Sequence, residues 1–283
     1  MLKKYALGLT LVFLFCEFAD AQSFYRRNRK TGYTVSVGLG TASYHGDLKS
    51  SQINFDLKGA ANVGIEVPVK GRLNIRGEFM WYRISDGEDK TIDSEDKFFV
   101  RNLSFNSSNF DLSVMGIFQI TPNSPRPRTD LTTYAIAGIG GTYYNPKAEL
   151  NGTDYKLRPL MTEGVDYGEI AFVIPVGAGA SVRLNYDWSI GLEAIYRFTT
   201  TDFLDDVSDV YVDNASFSDP IAQQLADRRP EAGLGVRPAG FKRGDPDNND
   251  GYLVIMAKVN YHLNQGLYYK RKRNRRSKIF RRR

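Results

Sequence analysis

The sequence predicts an all-β protein: an eight-stranded antiparallel up-and-down transmembrane β-barrel with long extracellular loops and short periplasmic turns. Three observations carry this. An export signal opens the chain, eight segments alternate apolar and polar residues with a period of two, and their connections alternate long and short.

The signal comes first. "MLKKYALGLTLVFLFCEFADA" has Lys3 and Lys4, an apolar run from Tyr5 to Phe15, and a small-x-small site at Ala19-Asp20-Ala21. These are the parts of a secretory signal peptide spanning residues 1–21, and the run is too short for a membrane span. The lone cysteine, Cys16, lies inside it, and Phe15 before it argues against lipidation. The exported chain would hold no cysteine, which excludes disulfides, a thiolate metal site and a thiol nucleophile. Residues 22–32 read as an N-terminal periplasmic segment, 33–263 as the barrel and 264–283 as a periplasmic tail.

The first alternating segment, "YTVSVGLGTASY", puts Tyr33, Val35, Val37 and Leu39 on one face and Thr34, Ser36, Gly38 and Gly40 on the other. The second, "ANVGIEVPV", sets Ala61, Val63, Ile65 and Val67 against Asn62, Gly64 and Glu66. The third sets Leu73, Ile75, Phe79 and Trp81 against Asn74, Arg76, Glu78 and Tyr82. The fourth sets Phe110, Leu112, Val114, Phe118 and Ile120 against Asp111, Ser113 and Gln119. The fifth, "TTYAIAGIGGTYY", is strand-like, but its small residues leave its faces undecided. The sixth shows Ile170, Phe172, Ile174, Val176 and Val182. The seventh sets Trp188, Ile190, Leu192, Tyr196 and Phe198 against Ser189, Glu193 and Arg197. The eighth sets Leu253, Ile255, Val259, Tyr261 and Leu263 against Lys258, Asn260 and His262. No helical period competes over comparable length.

Long links follow the first, third, fifth and seventh segments, and short or moderate turns ("VKGR", "TPNSPRPRTD", "LNYD") follow the others. That alternation belongs to an up-and-down barrel, and an even strand number leaves both termini on one side, the periplasm. The aliphatics then face lipid. Glu66, Arg76, Glu78, Glu193, Arg197 and Lys258 would neutralise one another in the narrow interior. Aromatic girdles are expected at the strand ends: Tyr44, Trp81, Tyr82, Tyr143, Tyr196 and Tyr252 at the outer interface, and Tyr33, Tyr134, Trp188 and Tyr261 at the inner one.

Candidate chemistry is sparse. An interior filled by side chains disfavours a diffusion pore. His45 and Asp47 in "YHGDL" have the composition of a base–carboxylate pair, but a Gly-containing turn stiffened by Asp47 explains them as well. His262 reads as a hydrogen-bonded lumen residue. "DPDNNDG" (Asp245 to Gly251) has the look of a calcium loop, yet Asp250 takes the glycine position and no acid follows in register. A solvated turn is the simpler reading, and a metal site shared with "TDFLDDVSDVYVD" stays open. No cofactor is expected, because phosphate-binding, dinucleotide and zinc motifs are missing.

The net charge of +6 hides an asymmetry, since residues 264–283 carry ten Lys or Arg and no acid. The tail cations Lys270, Arg271, Lys272, Arg273, Arg275, Arg276, Lys278, Arg281, Arg282 and Arg283 would meet an acidic protein partner or anionic headgroups. An exported protein has little access to nucleic acid, so none is expected as a partner.

Seven short motifs sit in order at the strand ends: "SYHGDL", "RNLSF", "NPKAELNG", "LRPLMTEG", "TDFLDDVSDVYVD", "LADRR" and "RGDPDNNDGYL". Through them the chain resembles the PorG-type outer-membrane barrels of the type IX secretion machinery, over about Tyr33 to Leu263. The family shows "NYLGDL" where this chain has "SYHGDL", so the resemblance gives His45 no special role. The motif residues marked by it are Tyr44, Gly46, Asp47, Leu48, Arg101, Asn102, Asn145, Pro146, Glu163, Gly164, Leu204, Asp205, Asp206, Asp227, Arg228, Arg243, Gly244, Asn248, Asn249 and Asp250.

The resemblance implies a non-enzymatic, integral outer-membrane subunit surrounded by outer-membrane lipid. It implies contact with a periplasmic ring made of a lipoprotein and its partner protein. The acidic loops would face outward or toward other subunits. Two alternatives stand beside this expectation: an OmpA-like structural or surface-binding barrel, and an outer-membrane lipid-acting enzyme using His45 and Asp47.

Overall fold

The computed structural model describes residues 32–48, 57–87, 101–121, 131–185 and 187–263. The signal segment, nearly all of residues 22–32 and the basic tail lie outside them, as does the Pro-rich part of the fourth-to-fifth connection.

Eight long strands close into an antiparallel barrel: β1 (Thr34–His45), β2 (Lys58–Lys70), β3 (Leu73–Gly87), β4 (Ser104–Gln119), β5 (Leu131–Tyr143), β8 (Ile170–Arg183), β9 (Trp188–Thr199) and β10 (Gly251–His262). Each pairs with its neighbour in sequence among the eight, and β1 pairs with β10 from Thr34↔His262 to His45↔Gly251, which closes the cylinder. Two short strands, β6 (Pro146–Leu150) and β7 (Thr153–Lys156), form a hairpin beyond the end of β5.

Two turns at one end are tight for local reasons. Gly71 adopts the left-handed conformation, φ 59°, between β2 and β3. Asn185 accepts the Asp187 and Trp188 amides with its side-chain oxygen and folds the β8–β9 turn.

The period of two decides what faces where. Val37, Leu39, Val63, Ile75, Phe79, Leu112, Val114, Ile174, Leu192 and Ile255 point outward and stay exposed, while Asn62, Arg76, Glu78, Asp111, Glu193, Arg197 and Lys258 are buried inside. A soluble protein has the opposite distribution. An apolar band outside and ions within make this a membrane-spanning barrel, and among the described residues no helix is long and apolar enough to cross.

Burying so many charges is tolerable only if they pair. Lys258 Nζ lies 2.6 Å from Glu78 and 2.9 Å from Glu193. Arg76 meets Glu193 at 2.8 Å and Glu66 at 3.0 Å, and Arg197 meets Asp111 at 2.6 Å and Glu78 at 2.9 Å. Three cations thus sit among four carboxylates, with the Tyr134 and Tyr252 hydroxyls donating to Glu193 and Asp111. Two apolar clusters share the interior with these ions. One consists of Met115, Ile117, Tyr134, Ile136 and Ile195; the larger includes Met80, Tyr82, Phe105, Leu204 and Tyr252 and extends into the long loops.

The structure corrects four of the expected girdle tyrosines. Tyr44, Tyr82, Tyr134 and Tyr252 point into the barrel, because each shares the parity of the inward polar residues on its own strand. Tyr82 and Tyr252 stack there with centroids 4.4 Å apart. Tyr33, Tyr143, Trp188 and Tyr261 do face outward. In β5, Tyr134, Ile136 and Thr142 point in, and Ile139 and Tyr143 point out.

Candidate functional site

The described parts of the long connections gather at one end and form a cap over the mouth of the barrel. Their folding is locally encoded. In the β6–β7 hairpin, Asn151 and Gly152 both take positive φ (51° and 80°), as a two-residue Asn-Gly turn requires. In the last connection, Asp219 caps helix α1 (Pro220–Ala226) by accepting the Ile221 amide, with Pro220 in the first turn. The sequence reading missed both elements, although "ELNGT" and "SDPIA" carried their signals.

The motif residues converge in this cap. The Tyr44 hydroxyl lies 2.6 Å from Asp205 Oδ2 and 2.6 Å from Asp250 Oδ1. Asp205 also accepts the Leu48 and Val207 amides, and Asp250 accepts the Leu204 amide. The first loop is thereby tied to both ends of the last one. Arg101 donates to the carbonyls of Arg243 and Asp47, and the Asp47 carboxylate accepts the Asp245 amide.

Glu163 pairs with Arg243 at 2.8 Å and accepts the Ser208 and Asp209 amides. Asp206, at φ 69°, accepts the hydroxyls of Thr162 and Tyr167 and faces Arg243 at 3.8 Å. Tyr167 stacks on Phe203 with centroids 4.6 Å apart. Leu48 and Leu204 are buried beneath these contacts.

A second group lies beside the first. Asn102 (φ 56°) donates to the Arg228 carbonyl, Arg228 grips Glu231 with two nitrogens, and Asp227 accepts the Arg229 and Arg237 amides. These residues border an open polar cleft of about 760 Å³ between the β6–β7 hairpin and α1, lined also by Gln223 and Gln224. Asn145 and Pro146 start the hairpin, the former donating its amide to Ser107 Oγ and the latter pairing with β4. Gly164 has φ 72°. Asn248 donates to Asp245, and Asn249 stays exposed in the same turn.

Two glycines are required by close approach. A Cβ on Gly46 would lie 1.8 Å from Asp250 Oδ1 and 2.0 Å from Tyr44 Oη, and one on Gly244 would lie 2.5 Å from the Ser208 backbone.

Several acids expected to face outward do not. Asp202, Asp205 and Asp206 are buried, because the cap folds back into the barrel mouth. Both Asp202 oxygens are buried and face the Ser208 side chain without a well-formed hydrogen bond. Burial pushes the Asp202 carboxyl up to about 8 and that of Asp205 up to about 7. Asp250 rises well above the ordinary range, through burial and then through the charge of Asp205.

Among the described residues no three His, Cys, Asp or Glu side chains are placed to hold a metal ion. His45 packs edge-on against Tyr196, with Nδ1 3.3 Å from the Ser43 carbonyl. His262 sits at the other end, between Thr34 and Ser189.

No protein-family model and no curated protein matches the chain. Among solved structures it is similar to Neisserial surface protein A, at 10% identity, 81% of this chain, 96% of that one and a TM-score of 0.42. It is similar to Ail, the attachment invasion locus protein of Yersinia pestis, at 10% identity, 82% and 98% coverage and a TM-score of 0.40. A major outer membrane protein from Thermus thermophilus has 14% identity, 82% and 98% coverage and a TM-score of 0.40.

Proposed function

We propose that this chain is a non-enzymatic outer-membrane component of the type IX secretion machinery, held in the bilayer by its apolar band with both termini in the periplasm. The short turns and the basic tail would contact the periplasmic ring of a lipoprotein and its partner protein. The cap would present a fixed surface outside the cell or to neighbouring subunits.

One observation supports this reading most. The residues marked by the family resemblance, scattered over some two hundred positions of sequence, meet one another in the cap. Their side chains are spent on mutual ion pairs and backbone groups, which suits a scaffold for protein contacts better than a reaction centre.

Affinity purification of the full chain from detergent-solubilised envelopes tests the proposal. Periplasmic ring proteins should co-purify, and truncation after Asn264 should reduce their recovery while the barrel stays inserted. Equal recovery from the truncated chain would remove the tail from the mechanism, and no ring protein at all would remove the assignment.

The plugged lumen and the polar cleft beside α1 favour a second reading, an OmpA-like barrel that binds ligands at the surface. Deleting the gene separates the two. A machine component leaves cargo trapped in the periplasm, and a surface barrel does not.

A further inference from the structure

A proton count at the cap leads beyond this reading. Tyr44 has a single hydroxyl hydrogen, yet its oxygen lies 2.6 Å from two carboxylate oxygens, Asp205 Oδ2 and Asp250 Oδ1. Both distances are those of strong O–H···O hydrogen bonds. One hydrogen serves one of them. The other contact needs a second hydrogen, and only a protonated carboxyl can supply it.

The remaining partners say which acid holds it. Asp205 accepts two backbone amides, from Leu48 at 3.2 Å and Val207 at 2.9 Å, so with the Tyr44 hydroxyl it has the three donors that suit an ionised carboxylate. Asp250 accepts one amide, from Leu204, on Oδ2, which leaves Oδ1 to carry the proton toward Tyr44.

We infer that Asp250 is held as a neutral carboxylic acid that donates to Tyr44, which in turn donates to the Asp205 carboxylate, and that this proton latches the cap onto the barrel rim. Removing it would set two buried carboxylates against one hydroxyl, and the first and last loops would part.

The charged surroundings favour retention of the proton. Asp205 and Asp202 from the last loop face Asp250, and the Tyr196 hydroxyl approaches from β9; Asp47 from the first loop faces Asp205 and Asp202, and Glu163 from the third faces Asp202. Against them stand Arg243, paired with Glu163 and Asp206, and Arg101, which donates to two carbonyls. Burial and carboxylate repulsion both raise the folded-state pKa of Asp250 above its unfolded value. By linkage, Asp250 keeps its proton below its folded pKa and loses it as pH rises through that value, so the latch opens on the alkaline side.

The test uses the full chain in phosphatidylcholine vesicles. Amide hydrogen exchange of residues 200–213, corrected for the intrinsic rate, is followed from pH 5 to 9. Wild-type protection should fall at the alkaline end with a limiting slope of about tenfold per pH unit, the slope of one proton.

Asp250→Asn replaces the acid by a neutral donor of the same shape. It should keep the cap protected with no pH slope and lose one protonated-carboxyl band from the infrared spectrum. Asp205→Asn sets its amide nitrogen against one of the two backbone donors, Leu48 or Val207, whichever oxygen it replaces, and should lower protection at every pH. A flat wild-type profile, a wild-type slope in Asp250→Asn, or equal effects of the two substitutions would overturn the inference. Asp202→Asn removes the other raised acid of the last loop and should keep the wild-type slope; loss of the slope in that variant would assign the titration to Asp202 and overturn the inference, whether or not Asp250→Asn inserts.

Discussion

Glu163 and Arg243 come from different loops and lie 2.8 Å apart with both side chains almost wholly buried. Removing one partner of such a pair strands the other, at a cost of about 3–5 kcal/mol. Glu163→Gln also weakens the acceptor of the Ser208 and Asp209 amides. The substitution should expose the last loop to trypsin while the barrel stays folded and inserted, since the partners Ser208, Asp209 and Arg243 all lie in the last loop.

Lys258 carries a second prediction, inside the barrel. Its ammonium sits between Glu78 and Glu193. Lys258→Met leaves those carboxylates with an excess of negative charge and should lower barrel stability by about 3–5 kcal/mol. Urea unfolding in vesicles, followed by tryptophan emission, measures it. Lys258→Arg should lose less.

The outward band is tested by Val114→Arg, placed midway along β4 between the exposed Leu112 and Phe118. An arginine facing lipid at mid-depth costs about 2–4 kcal/mol. The same unfolding experiment should show that loss for Val114→Arg and a much smaller one for Val114→Ile. Equal stability of all three proteins would mean that this face does not meet hydrocarbon.

Gly46→Ala and Gly244→Ala separate two kinds of crowding. The new methyl at 46 collides with the side chains of Tyr44 and Asp250, and the one at 244 collides with the Ser208 backbone. Overpacking of this sort costs about 1–3 kcal/mol. Both should loosen the cap in hydrogen exchange, and Gly244→Ala should loosen it more, because backbone has less room to yield.

Much of the barrel is legible in the sequence. Parity alone assigns Val37, Ile75, Leu112 and Leu192 outward and Arg76, Glu78, Glu193 and Lys258 inward, because a strand repeats every two residues and one face must meet hydrocarbon. The same parity, applied to Tyr82 among Arg76, Glu78 and Met80, also places that ring inside. The expectation of an aromatic girdle overrode it. β5 is not legible, since Ala and Gly fit either face.

The cap was legible only as names. Asp202, Asp205 and Asp206 read as acids of a loop facing outward or toward other subunits, and nothing local says that Tyr44, more than one hundred and fifty positions earlier, will reach Asp205. Tyr167 and Thr162 are not legible for the same reason, since both donate to Asp206, and Asp111 is legible as an inward polar residue but not as the partner of Arg197.

By itself, then, the chain's alternation determined a closed cylinder with ions inside and aliphatics outside, because each strand's two faces are written every second residue. The pairing of Tyr44 with Asp205 and Asp250, and of Glu163 with Arg243, was decided only in three dimensions. Barrel closure brings β1 beside β10 and so delivers loops from opposite ends of the sequence to one rim. There burial removes the water that would otherwise have satisfied each carboxylate separately.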